Sequence, residues 1–455
     1  MPPAEFLLYT VFMRIQLSDH FTYEKILRFV LPPIGMMIFT SIYGIVDGAF
    51  VSNFAGKEPF AAINLIMPYI MTLCAVGYMF GTGGSAIVGK TLGEQKPEKA
   101  NEYFSMIIYV GIIAGIGITI IGVIFMRPVA ILLGAEGKLL EDCVLYGNIN
   151  MISMAPYMVQ SMFESLFITA EKPKLGFWCN IIAGCVHILL DAIFIIGFHW
   201  GLAGAALATV ISEFTGGIIP LWYFFRKNDS LLQLGRTRLY GSVLGKTCVN
   251  GLSEMVSTLS VSFVAMLFNM QLLRFAGEDG VAAYGVILCI NFIYMAVFFG
   301  YSMGIAPVIS YHFGAENHEE LKNLFSKSIK LMVGSGIALT AFALLLTVPV
   351  CKIFVGYDPA LYEMTKHGYI IIAFSFIMIG YNYFGSYFFT ALNNGVISAT
   401  ISLLRIFVFR TAAVLLLPMF FGLEGIWYSQ LVSEVLSTIL VTVFLCKYRD
   451  RYHYA

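Results

Sequence analysis

The sequence predicts an all-α integral membrane protein, with twelve transmembrane helices in two six-helix lobes related by a parallel internal repeat. Three observations carry this. Of 455 residues, 59% are hydrophobic and 12% charged, whereas a soluble globular chain carries about 25% charge. Apolar runs of about 20 residues recur along the whole length, each able to cross about 30 Å of hydrocarbon as a helix. Short matches also recur at one spacing: Phe54-Ala-Gly56 with Phe275-Ala-Gly277, Gly201-Leu-x-Gly204 with Gly422-Leu-x-Gly425, and Ser212-Glu213 with Ser433-Glu434, always 221 residues apart. One unchanged offset over such a length indicates duplication of a six-helix unit.

Apolar runs bounded by charge, glycine and proline place the helices in order. The first, 26–53, follows Lys25 and ends near Gly56; the next two, 60–89 and 103–126, stop at Lys90 and at Arg127-Pro128. Then come 143–170 before Glu171-Lys172-Pro173, 175–198 before His199, and 202–225 before Arg226-Lys227. The second unit gives 247–274, 281–312, 324–348, 362–391, 396–418 and 424–446. The expected organisation is an N-terminal segment, 1–20; a first lobe, 21–225; a linker, 226–246; a second lobe, 247–446; and a tail, 447–455. Residues 1–12 have no basic n-region and do not read as a cleavable signal peptide, and Met13 is a candidate natural start.

With the N-terminus inside, 19 Lys and Arg residues fall on the cytoplasmic side and 6 outside, leaving Arg405 and Arg410 within a helix. By the positive-inside rule both termini are cytoplasmic. A formal net charge of zero points to no nucleic acid. The eight cysteines lie mostly in apolar segments without a Cys-x-x-Cys pair and read as small buried hydrophobes; no metal-ligating set and no cofactor motif is read.

An even number of spans returns each unit to its starting side, so the halves share one orientation about a pseudo-two-fold along the membrane normal. Transporters built this way bind substrate near the interface of the halves. A carboxylate in hydrocarbon is costly and usually faces a cavity or partner, which singles out Asp47 in the run Leu31–Ser52. Asp47 and Asp191 sit about 6 and 7 residues before the outer ends of their helices, and Thr209 about 8 after the start of the next. At 1.5 Å per residue they share a layer roughly 10 Å below those ends. Tyr43 and His187 lie four residues before the two acids, on the same helix faces. These five residues form the candidate ion-coupling site, the alternative being a structural polar network. Gln160, Glu164 and Glu254 are candidates for the substrate cavity, with polar lobe contacts as the other reading. The matched positions of Glu213 and Glu434 favour a shared structural role, and Arg405 is expected to pair with Glu434. The 39 Phe, 25 Tyr and 22 Met suit a pocket for flat lipophilic cations.

The matching segments Gly89-Lys-Thr-Leu-Gly and Ser310-Tyr-His-Phe-Gly, with Asp47-Gly-x-x-Val-Ser, Leu190-Asp191-x-x-Phe194 and Gly201-x-x-Gly204-Ala-Ala-x-Ala-Thr209, resemble the multidrug and toxin extrusion (MATE) family, in particular its DinF-like branch with MepA-type bacterial exporters. The resemblance covers nearly all of the chain after residue 20. It implies a twelve-helix exporter of organic cations in a bacterial plasma membrane, driven by an inward proton or sodium gradient. Such sequences often carry Asn where His187 stands. An imidazole titrates near neutral pH, so His187 favours protons over sodium; a satisfied buried histidine is the other reading. The expected protein is therefore a monomeric, proton-coupled (or Na+-coupled) antiporter without a cofactor. Its partners are organic cations and the lipid bilayer. A lipid-linked precursor flippase or metabolite exporter is the alternative, and no Gly-x-Gly-Asp, Gly-x-Ser-Gly or His-Glu-x-x-His motif supports an intramembrane enzyme.

Overall fold

Thr22 opens the first helix, its hydroxyl accepting the Lys25 N–H at 3.3 Å, which satisfies one of the unpaired donors of a helix start. The computed structural model describes residues 15–455, apart from the Lys57 side chain, so Met13 lies outside the described residues. The first lobe comprises α1 (Tyr23–Phe50), α2 (Lys57–Gly93), α3 (Pro97–Leu132), α4 (Gly137–Met151), α5 (Met154–Thr169), α6 (Pro173–Asp191) and α7 (Gly201–Phe225). The second comprises α8 (Gly241–Gly314), α9 (His318–Val355), α10 (Pro359–Ala373), α11 (Phe376–Ala391), α12 (Gly395–Ser402), α13 (Arg410–Phe421) and α14 (Leu423–Tyr452). No strand occurs among the described residues.

Nine of these described helices, joined across their π turns, are long and apolar enough to cross a membrane, or ten with the α10–α11 pair, which bends by 47°. A straight helix as long as α8 would reach about 110 Å. Instead Gly277, at φ 64° and ψ −153°, divides α8 into arms 241–276 and 278–314. The α4–α5 pair breaks at Ile152–Ser153 as α10–α11 breaks at Phe374–Ser375. In both, the serine hydroxyl donates to a carbonyl three residues back, Asn150 O at 3.0 Å and Ile372 O at 2.6 Å, competing with the helix ladder. Each lobe thus has the six rods that the repeat implies. The duplication is visible in the backbone too: Gly56 and Gly277, Gln95 and Glu316, and Gly201 and Gly422 are matched positions, all at positive φ. Ile113, Ile116, Ile120 and Ile124 are exposed along α3, a stripe suited to lipid.

The linker and the tail differ from the expectation: α14 runs on to Tyr452, through most of 447–455. The linker is shorter than 226–246, because α8 starts at Gly241 and takes in Lys246. It is also docked rather than free. Leu232 and Leu234 are buried, and the N–H groups of Gln233 and Gly235 donate to Asn101 Oδ1 at 2.7 Å and Ser105 Oγ at 3.0 Å. Within it, hydrogen bonds from Lys172 and Tyr223 hold the Asp229 carboxyl at about 2, below the usual carboxylate range. The described part of the N-terminal segment is not a loose tail. Leu17 and Phe21 are fully buried; the Leu17 N–H donates to Glu171 Oε1 and the Phe21 N–H to Glu320 Oε1, both at 2.8 Å. Since Glu171 follows α5 and Glu320 opens α9, the segment ties one lobe to the other.

The lobes meet mainly where α1 and α2 pack on α8. Small residues allow the backbones to touch. A Cβ on Gly93 would lie 1.9 Å from Tyr311 O, and one on its repeat mate Gly314 would lie 2.1 Å from Lys90 O. These reciprocal contacts close the end of the bundle that holds the α14 C-terminus and residues 15–22. Overpacking a tight seam costs about 1–3 kcal/mol, so Gly93→Ala and Gly314→Ala should each loosen this end. In a Thr91→Cys background, at a buried position, either change should speed labelling by an impermeant maleimide; unchanged labelling would show that the seam does not depend on these glycines.

Candidate functional site

A helix places residues four apart on one face, and two helices of the first lobe use this spacing to aim side chains at each other. α1 presents Tyr43 and Asp47, α6 presents His187 and Asp191, and α7 adds Thr209. His187 Nε2 lies 3.7 Å from Asp47 Oδ1 and 3.6 Å from Asp191 Oδ2. Thr209 Oγ1 is 3.2 Å from the same nitrogen and also bonds to Ala205 O at 3.1 Å. The Tyr43 ring stands edge-on to the imidazole, with centroids 5.8 Å apart. All five residues that the sequence singled out for ion coupling are therefore in one place.

Their burial is graded. The Asp191 side chain is 0% exposed, that of His187 7% and that of Asp47 25%. Both Asp191 oxygens are buried without a hydrogen-bond partner. Such an acceptor is costly to bury unless something else satisfies it. Three further polar residues were not foreseen. Asn180 accepts from Thr40 at 3.2 Å, linking α6 to α1 again, and the Tyr146 hydroxyl sits beside Thr209 and Asn150. Thr40 lies seven residues before Asp47 and Asn180 seven before His187, two turns along the same faces, so the helical period would have found both; nothing in the sequence marks Tyr146.

Three π turns occur among the described helices, and each lies next to an intramembrane charge. Val51–Ala55 follows Asp47 by one turn, Ala192–Gly197 starts directly after Asp191, and Leu403–Phe409 contains Arg405 and precedes Arg410. The first two also pack against each other. π turns widen the helix locally and are frequent at functional sites.

The cavity candidates lie elsewhere. Gln160 and Glu164 are half-buried on α5, while Glu254 is buried on α8 and accepts from the Tyr387 hydroxyl at 2.7 Å. The partner of Glu254 is thus a phenol carried by α11. Tyr78 on α2 and Tyr157 on α5 pair through their hydroxyls at 3.3 Å. A shared role for Glu213 and Glu434 is not what the structure gives. Glu213 accepts from Ser153 at 2.5 Å, whereas Glu434 binds Arg405 at 3.1 Å, Arg410 at 2.6 Å and Asn382 at 2.7 Å. The repeat mate of Arg405 is Gly184 and that of Arg410 is Leu189, so the first lobe has no guanidinium for Glu213 to meet. Among the cysteines, Cys185 and Cys446 are exposed rather than buried, since they sit on the outer helix faces.

The duplication seen in the backbone also appears in the family comparison: a sequence model of MatE matches residues 32–193 and again 254–416. The chain belongs to the MatE family. Over 94% of both chains it is similar to the multidrug export protein MepA of Staphylococcus saprophyticus (24% identical) and of Staphylococcus haemolyticus (25%). Among solved structures, an outward-facing multidrug resistance MATE family transporter of the MOP superfamily has a TM-score of 0.89 at 20% identity, covering 94% of this chain and 96% of that one. A MOP superfamily transporter from Pyrococcus furiosus has a TM-score of 0.85 at 21% identity, covering 94% and 96%. These structures share the MatE fold with this chain.

The two buried glutamates make different predictions for stability. Removing one partner of a buried ion pair costs about 3–5 kcal/mol. Glu434→Gln should therefore lower the melting temperature in detergent markedly, because two guanidiniums lose one carboxylate. Glu213→Gln, which keeps an acceptor for Ser153, should shift it far less; equal shifts would contradict this division of roles.

Proposed function

We propose that this MatE protein is a proton-coupled antiporter that exports amphipathic organic cations across a bacterial plasma membrane. In this reading Asp47 and Asp191 carry the coupling ion, His187 and Thr209 adjust their charge and hydrogen bonding, and Tyr43 walls the site. The observation that carries it is the convergence of two carboxylates from different helices, one of them fully buried with neither oxygen hydrogen-bonded. Two such charges inside a membrane call for protons or a cation, and taking up or losing that charge changes how α1 and α6 pack. Hard cations such as sodium prefer oxygen ligands. The imidazole at the centre favours protons, with sodium as the rival.

The names of the similar proteins support multidrug export. So do Glu164, Glu254, Tyr78, Tyr157 and Tyr387, which offer the acid and π faces that attract a flat organic cation. With both termini cytoplasmic, the sealed end is the cytoplasmic one, and the conformation corresponds to the outward-facing stage of alternating access. The chain acts as a monomer, since the duplication already supplies both lobes.

Asp47→Asn and Asp191→Asn should each reduce gradient-driven dye export from proteoliposomes to background while the proteins elute and melt like wild type. Imposing proton and sodium gradients separately identifies the ion. Export under a proton gradient alone is expected; a response to sodium alone would refute the proton assignment, and full export by both variants would refute the site.

A further inference from the structure

We infer that Asp47, His187 and Asp191 form a binding site for one transition-metal dication, of which Zn2+ is the best match, and that metal bound there from the outer side blocks export. The binding claim stands on geometry alone. The block rests on the coupling role proposed above.

One oxygen from each acid and one imidazole nitrogen all lie within 4.8 Å of one another. The two measured nitrogen–oxygen separations are 3.7 and 3.6 Å. Tetrahedral zinc holds nitrogen and oxygen ligands at about 2.0–2.2 Å, which sets neighbouring ligand atoms about 3.3–3.6 Å apart. Little movement is therefore needed to close the side chains on an ion. Asp191 provides the independent sign that a ligand belongs here, because its side chain is fully buried, Oδ2 faces His187 Nε2 at 3.6 Å, and neither oxygen accepts a hydrogen bond.

Charge and donor type narrow the choice. Two carboxylates neutralise a dication, leaving no net charge in a medium that penalises one. A monovalent ion would leave one negative charge over. Imidazole nitrogen suits zinc, whereas calcium and magnesium favour all-oxygen shells, and zinc lies high in the order of divalent affinities. The fourth position is left to water, with the Thr209 hydroxyl 3.2 Å from Nε2 as an outer-shell partner. Asp47, the most exposed of the three, is the entry side.

Surface histidines bind zinc weakly in most proteins, and His367 beside Glu424 and the His318–His453 pair are such places. The test must therefore depend on His187. Full-length protein in detergent, stripped with EDTA, is titrated with Zn2+ by calorimetry and with Co2+ by visible absorption. Wild type should show one tight site with the ligand-field bands of a nitrogen–oxygen shell. His187→Asn should weaken that site by at least about 100-fold, the upper range seen on losing even an outer-shell partner. His187→Cys, which restores a good zinc ligand, should regain it and add a thiolate charge-transfer band. Both variants are checked for wild-type elution and melting. In wild-type proteoliposomes, micromolar Zn2+ on the outer side should stop dye export, and EDTA should restore it. Equal tight binding in wild type and His187→Asn would overturn the metal site and leave the coupling role to the carboxylate variants. A His187-dependent site with undiminished export would overturn the block, and with it the coupling role.

Discussion

A charge inside a bilayer must be met by a partner, by water or by an ion, and the arrangement of this protein follows from how each lobe meets that demand. In the second lobe the answer is complete. Glu434 accepts from two guanidiniums and from Asn382, and Arg405 also stacks on Tyr383 at 4.1 Å. In the first lobe the protein supplies less: Asp191 is buried with neither oxygen hydrogen-bonded, and His187 Nε2 lies 3.7 Å from Asp47 and 3.6 Å from Asp191. A fully paired cluster holds its helices in one arrangement. An underpaired one admits a proton or a metal.

The scaffold imposes no such difference. Matched glycines turn the chain at Gly56 and Gly277, and matched glycines let α2 and the second arm of α8 cross at Gly93 and Gly314. At the site, though, Phe268 is the mate of Asp47, Val408 of His187 and Ala412 of Asp191. The duplication has kept the positions that determine backbone geometry and changed the positions that carry charge. The segment from residue 15 to 22 adds a further contact between the lobes, since it spans from Glu171 to Glu320 at the sealed end. Opening that end requires the two acids to part, and with them the buried Leu17 and Phe21.

Much of this was legible in the chain, for physical reasons. Bilayer thickness and the 221-residue spacing determine the number and pairing of the rods, and α-helical rise puts Asp47, Asp191 and Thr209 at one depth. The period of four put Tyr43 and His187 beside the acids. What escaped the sequence depends on local backbone or on side-chain reach. The π turns after Asp47 and Asp191 have no marker residues, and the breaks at Ser153 and Ser375 come from hydroxyls that are harmless in most helices. The docking of 232–234 depends on a groove formed by α3 and α7. Glu213 and Glu434 misled because a matched position promises a matched backbone and says nothing about which neighbours lie opposite; the arginines that decide the matter are on another helix.

Two lobes with identical chemistry would respond alike to any ion, and their relative position would not change when it bound. Here α1 belongs to both problems: its inner half packs on α8 across the lobe interface, with Pro33 and Ile34 against Gly300, and its outer half carries Asp47 into the cluster with α6. Any change in charge at Asp47 therefore acts on a helix that is anchored to the opposite lobe, and Pro32 and Pro33 remove two backbone N–H donors within the anchored half itself. On the coupling role proposed above, it is this one helix, shared by the seam and the acid, that would carry a charge held by one lobe to the contact between both.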